Sequence, residues 1–168
     1  MILEVLKYPH PVLKEKAVEV TEITPEIRAL AADMLETMYE TDGVGLAAPQ
    51  IGESIRLITV DVTGPEERAE PRVYVNPVLE FLGDEVESEE GCLSVEDYRA
   101  PVTRFERVKL TAQDLDGKPV ALEADGLLAV CLQHECDHLD GKLFIDRISR
   151  LKRNMYDAKV KKWARQSR

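Results

Sequence analysis

Five consecutive residues, His134-Glu135-Cys136-Asp137-His138, carry the strongest chemical signal in the chain. On a helix, residues four apart lie one turn apart on the same face, so both imidazoles can reach one metal ion. Glu135, beside the first histidine, can reach water on that ion and is the candidate general base. The plain alternative is two surface histidines on a polar helix face. It is weakened because the chain has three histidines and two of them sit here.

A catalytic ion of this kind has three protein ligands and one position open to water. After His138 there is no further histidine, and after Glu135 no further glutamate. The third ligand therefore comes from upstream or is an aspartate. Three cysteines are candidates: Cys92, Cys131 and Cys136. Cys136 is two residues from each histidine, about 200° around the helix, and faces away. Cys131 shares the histidine stripe but lies about 7.5 Å back along the axis, with its side chain tilted toward the helix N-terminus. A thiolate must approach to about 2.3 Å, so Cys131 reads as packing. Cys92 remains, in Glu90-Gly91-Cys92-Leu93-Ser94, where a glycine lets the chain turn sharply. A buried, unreactive thiol is the bland reading of Cys92 taken alone.

These residues need elements to hold them. The histidine helix is expected to run from an N-cap at Asp125 to a C-cap at Gly141. An earlier helix starts at Thr24-Pro25-Glu26, a hydroxyl cap followed by proline and an acid, and stops near Gly43. A third covers about Ile148 to Ala164, packed through Leu151, Met155 and Val160. The glycine-rich segment Gly43 to Gly52 opposes both helix and strand. Short strand-like runs occupy Ile55–Val62, Arg72–Val75, Val102–Phe105, Val108–Ala112 and Val120–Leu122, with a hairpin signal at Asp116-Gly117. Residues 63–71 read as an exposed loop. Strands in the middle and helices at both ends predict an α+β fold. The expected form is one domain, with antiparallel or mixed sheets around the central histidine helix.

The chain has 168 residues, 44% of them hydrophobic, which suits one domain with a real core. No signal peptide and no membrane-spanning run is visible in it. An odd number of cysteines without export signals points to a reducing cytoplasm. The net charge of −10 is unevenly placed: the segment from Arg147 to Arg168 carries +8 and the first 146 residues −18. A basic tail on an acidic body suggests an anionic partner for the tail, against the alternative of a solvated helix. The expected division is a catalytic part at 1–146 and a basic C-terminal helix at 147–168.

Three segments together resemble the motifs of the peptide deformylase family: Gly43-Val44-Gly45-Leu46-Ala47-Ala48-Pro49-Gln50, Glu90-Gly91-Cys92-Leu93-Ser94 and Gln133-His134-Glu135-Cys136-Asp137-His138. The resemblance covers nearly the whole chain. The family often has proline two residues after the serine of the second motif, where this chain has Glu96. The resemblance implies that Cys92, His134 and His138 bind one divalent ion. Fe(II) is the implied physiological ion, with nickel, cobalt or zinc as replacements. It implies that Glu135 moves the proton in hydrolysis of formyl-methionine at the start of nascent peptides. Gln50 and the Leu93 N–H would stabilise the oxyanion. Val44, Leu127, Val130 and Cys131 are candidates for a methionine slot, and core packing is the bland reading of each. Gly43 and Gly45 would let backbone approach the substrate, and Gly45 and Arg99 match positions that contact the substrate backbone. The family's C-terminal helix is thought to anchor on the ribosome. No membrane association and no sequence-specific nucleic-acid binding is expected. A zincin-like peptidase and a non-enzymatic Cys-His-His metal protein are the rival readings.

Overall fold

The computed structural model describes residues 1–166, so Arg168 of the basic segment lies outside the described residues. Helix α1, Pro25–Glu40, begins as its sequence predicts: the Thr24 hydroxyl accepts a hydrogen bond from the Ile27 N–H at 3.3 Å. Its apolar stripe buries Ala31, Met34 and Met38 completely. It ends at Glu40, three residues before Gly43.

Five strands form one sheet in the order β1 to β5, all antiparallel: Gly45–Ala47, Leu57–Val60, Arg72–Cys92, Val95–Gln113 and Pro119–Asp125. The glycine-rich segment departs from expectation. Gly45, Leu46 and Ala47 pair with Val60, Thr59 and Ile58 of β2, and a 3₁₀ turn follows at Ala48–Ile51. Full burial of Leu46 and Ala47 against the core outweighs the low strand propensity of glycine. Residues 63–71 also differ, since Gly64–Glu67 forms the short helix α2.

The largest departure is the length of β3 and β4. The short runs expected at 72–75, 102–105 and 108–112 lie within strands of 21 and 19 residues. These pair from Val75 opposite Gln113 to Gly91 opposite Arg99, with two register shifts on the way and a third between Gly91 and Cys92. The two-residue turn Leu93-Ser94 then places Cys92 opposite Val95. At the other end of β4, Gly117 takes φ 77° in the loop to β5, as the Asp-Gly signal predicts.

Helix α3, Gly126–Leu139, buries Ala129, Leu132 and Leu139 in the apolar cluster built on Ile58, Val60, Val108 and Leu110. Asp125 precedes it without a capping side-chain bond, and Gly141 follows it at φ 76°. Helix α4 covers Arg150–Gln166. Here the expected packing is corrected: Leu151 and Met155 are 71% and 65% exposed. Tyr156, 2% exposed, enters the cluster of Val95, Val102 and Phe144, with Val160 and Trp163 partly buried beside it. Residues 156, 160 and 163 share one helix face, and Met155 is turned about 100° from it. No described helix is long and apolar enough to cross a membrane.

Candidate active site

The sheet and α3 meet at three side chains. His134 and His138, one turn apart on α3, have ring centroids 5.0 Å apart. Cys92 arrives from the end of β3, its Sγ 3.4 Å from His138 Nε2. One donor atom from each of the three lies within 4.8 Å of the others. Ligands held tetrahedrally at about 2.0–2.3 Å from an ion stand roughly 3.5 Å apart, so the spacing fits a divalent cation. Cys136 packs into the apolar cluster under the sheet, as its helical position requires. Among the described residues this donor cluster has three members. A structural zinc site normally has four, whereas this one opens onto a cavity.

Behind the cluster runs a chain of buried charge that the sequence reading missed. His134 Nδ1 lies 2.9 Å from Glu90 Oε1, which turns Nε2 toward the cluster. Arg104, 3% exposed, donates Nε and Nη2 to the two Glu90 oxygens at 2.7 Å each. Its Nη1 donates to Asp137 Oδ2 at 2.7 Å, and Arg147 donates twice to the same carboxylate. Burial alone would raise Glu90, but Arg104 and then His134 hold its carboxyl below the ordinary value. Such outer partners fix a ligand's orientation. The signal was Arg104 on the inward register of a strand, where Ala100 and Val102 are also buried.

Glu135 is 4% exposed, and burial pushes its carboxyl up to about 7, opposed by His134 and reinforced by Glu90. Its Oε1 makes no hydrogen bond among the described residues. A carboxylate poised near neutrality, with one oxygen unengaged beside a cation site, suits proton transfer. Burial and then His134 depress the His138 pKa, leaving a neutral imidazole suited to ligation.

Gln50 follows β1 on the 3₁₀ turn. Its Oε1 accepts from the Ala47 N–H at 2.9 Å, which aims Nε2 at Ser94 Oγ, 3.1 Å away, and Cys92 Sγ, 3.5 Å away. Ser94, fully buried, had no assigned role; it anchors this amide. The N-terminal segment ties both halves together: the Leu6 N–H donates to Gln50 O and the Tyr8 N–H to Ser94 O.

These groups line a cavity of about 760 Å³. The glycine segment contributes Gly43, Val44, Gly45 and Gln50 to it, and the hairpin contributes Cys92, Leu93 and Arg99. From α3 come Leu127, Val130, Cys131, His134 and Glu135. His138, 1% exposed, lies behind the wall. Every residue expected from the sequence is therefore brought to one place. Two glycines make room for side chains, and for Gly91 this replaces the expected sharp turn. Gly91 has an ordinary φ, and its missing Cβ makes room for Arg99, whose Nη1 would stand 2.9 Å from such an atom. Gly45 makes room for Glu135 in the same way.

The chain is similar to known proteins over nearly its whole length. The chain matches the Polypeptide deformylase family over residues 2–154. It is 48% identical over 166 residues to the peptide deformylase of Stutzerimonas stutzeri, covering 98% of each chain. It is 50% identical to that of Acinetobacter baumannii, covering 98% of this chain and 93% of the other. The crystal structure of a peptide deformylase from Legionella pneumophila superposes with a TM-score of 0.92 at 44% identity, covering 99% and 98% of the two chains. The Synechococcus elongatus peptide deformylase in complex with actinonin gives 0.88 at 43% identity, covering 94% of this chain and 86% of that one. With its Cys-His-His cluster, its buried glutamate and the match over nearly its full length, the chain belongs to the polypeptide deformylase family.

Proposed function

We propose that this chain hydrolyses the formyl amide of N-formylmethionyl nascent peptides, with Glu135 as the proton carrier. One observation carries the reading: a buried carboxylate, pushed up to about 7 with one oxygen unengaged, stands beside a three-donor cation site at the wall of a cavity. When bound, a divalent ion supplies Lewis acidity that draws the pKa of water down toward about 7. Glu135 accepts a proton from the attacking water, whose oxygen adds to the formyl carbon. Gln50 Nε2 and the Leu93 N–H donate to the oxyanion so formed, donors of a kind that contribute about 2.7–4 kcal/mol each. The C–N bond breaks, Glu135 returns its proton to the amine, and formate leaves. Val44, Leu127, Val130 and Cys131 receive the methionine side chain, while Gly45 and Arg99 face the peptide backbone.

The mixed thiolate–imidazole set accepts several late first-row ions. Fe(II) is the proposed physiological one, with nickel, cobalt or zinc able to take its place. The exposed bases of α4 are proposed to meet the RNA phosphate of the ribosome surface without reading sequence. Formate release from formyl-Met-Ala-Ser by the metal-loaded protein tests the reaction. Cleavage at an internal peptide bond with no formate released would replace it with a peptidase.

A further inference from the structure

We propose that Tyr156, on the C-terminal helix, is a positioning residue for substrate binding: it holds the Glu96–Arg99 segment at the cavity in the shape that receives peptide backbone beyond the methionine. The inference rests on the proposed reaction, with peptide backbone meeting this side of the cavity.

Three successive residues of this segment are gripped by α4. The Tyr156 hydroxyl donates to the Glu96 carbonyl at 3.0 Å. Lys159 Nζ reaches Asp97 Oδ2 at 3.3 Å and the Asp97 carbonyl at 3.4 Å. The Tyr156 ring stacks on that of Tyr98 with centroids 5.0 Å apart, and Trp163 closes against its edge. Asp97, Tyr98 and Arg99 all line the cavity. The grip has a physical reason. Asp97 sits at φ 53°, a left-handed conformation that costs a non-glycine residue free energy and persists only where its surroundings hold it. Among the described residues of α4, Tyr156 alone is buried, and it spends its hydroxyl on this segment. A helix serving only as an outside anchor has no use for that contact. The next residue after Tyr98 is Arg99, so its backbone is placed partly by how the three before it are held, while its guanidinium leans on β3, donating to the Glu89 carbonyl at 3.3 Å.

The test uses the metal-loaded full-length enzyme. Tyr156→Phe keeps the ring and removes the bond to Glu96; Tyr156→Leu removes both. For formyl-Met-Ala-Ser, KM in Tyr156→Phe is expected to rise about three- to tenfold, with kcat within about twofold. The KM for formyl-methionine, which has no backbone beyond the first residue, stays unchanged, as does bound metal. The leucine variant shows the larger KM effect, and Leu151→Ala on the exposed face of α4 moves nothing. An unchanged tripeptide KM in Tyr156→Phe overturns the proposal. So does an equal loss of kcat on both substrates, which a general loss of folded enzyme would give. Arg99→Ala in parallel separates the two readings. If it is silent while Tyr156→Phe raises KM, the role of Arg99 falls and that of Tyr156 stands.

Discussion

Gly45 and Glu135 compete for one space. A Cβ built on Gly45 would stand 2.9 Å from Glu135 Cδ and closer still to Oε2. Gly45 φ is not left-handed, so the glycine is required here by contact and not by conformation. Gly45→Ala is therefore expected to displace the carboxylate while sparing the ligands. Turnover should fall about 10²-fold or more, the scale of lost acid–base catalysis, with stoichiometric metal retained. Metal content by elemental analysis beside kcat checks it, and near-normal turnover would mean Glu135 has room that this packing denies it.

Glu135 itself can be removed without removing a ligand. Glu135→Ala should keep the metal and lose at least about 10²-fold in kcat. It also deletes a buried carboxylate that burial penalises, so thermal stability should hold or rise. Full activity in a metal-loaded variant would remove Glu135 from the proton pathway.

The three cysteines should separate cleanly. Cys92→Ala is expected to lose metal affinity and activity together, because thiolate ligation couples them. Cys136→Ser should retain metal and turnover, since that side chain packs under the sheet. Burial pushes the Cys131 thiol up to about 12 and raises the Cys136 thiol as well, so neither supplies a ready thiolate. Cys131→Ser should keep the metal and raise KM, as it lines the cavity. Metal titration of each variant decides the assignment, and tight binding in Cys92→Ala would reverse it.

What could be read from sequence follows where periodicity and burial coincide. Helix α1 and α3 bury apolar stripes of 3.6-residue period, and their starts and ends lie within a few residues of expectation. The spacing of His134 and His138 and the elimination of Cys131 and Cys136 needed only helix geometry. The long β3–β4 hairpin escaped because residues 80–90 are mostly exposed and acidic, so no alternating apolar face marks them. The chain Glu90–Arg104–Asp137–Arg147 escaped because its members come from β3, β4, α3 and the approach to α4. Nothing local joins them. Tyr156 was overlooked for Leu151 and Met155 because hydrophobic type was read without the register that the body imposes.

Another buried carboxylate predicts acid behaviour. Asp61, fully buried at the end of β2, accepts from the Tyr39 hydroxyl at 2.6 Å and from the Thr63 hydroxyl and N–H. Burial would raise its pKa, but these bonds hold it below the ordinary value. A group depressed in the folded state stabilises above its unfolded pKa and ceases to as pH falls through the folded one. Burial, then Asp61, pushes Tyr39 up to about 12, so it remains a neutral donor across that range. Asp61→Ala should cost about 1–3 kcal/mol at pH 7 by stranding these donors. The gap to the parent protein should narrow below pH of about 4. Urea unfolding at pH 7 and pH 3 measures it, and a gap that widens in acid contradicts the sign.

The basic helix gives the last prediction. Truncation before α4 would remove Tyr156, Val160 and Trp163 from the cluster around Val95 and Phe144, so it confounds anchoring with folding. Charge reversal is cleaner, and the structure selects the positions. Lys159 is unsuitable, because it pairs with Asp97 and lies over the Trp163 ring at 5.1 Å. Lys152, Lys161 and Lys162 are exposed, and their reversal disturbs no contact described above. Phosphate contacts by lysine release counterions and make binding steeply salt-dependent. The −18 body would itself be repelled by RNA. Lys152→Glu, Lys161→Glu and Lys162→Glu together should therefore weaken co-sedimentation with ribosomes about tenfold or more at low salt and flatten its salt dependence. Hydrolysis of formyl-Met-Ala-Ser should be unchanged, since none of the three lines the cavity. Undiminished ribosome association in the triple variant would show that α4 is a solvated helix, leaving the chemistry at Glu135 as it stands.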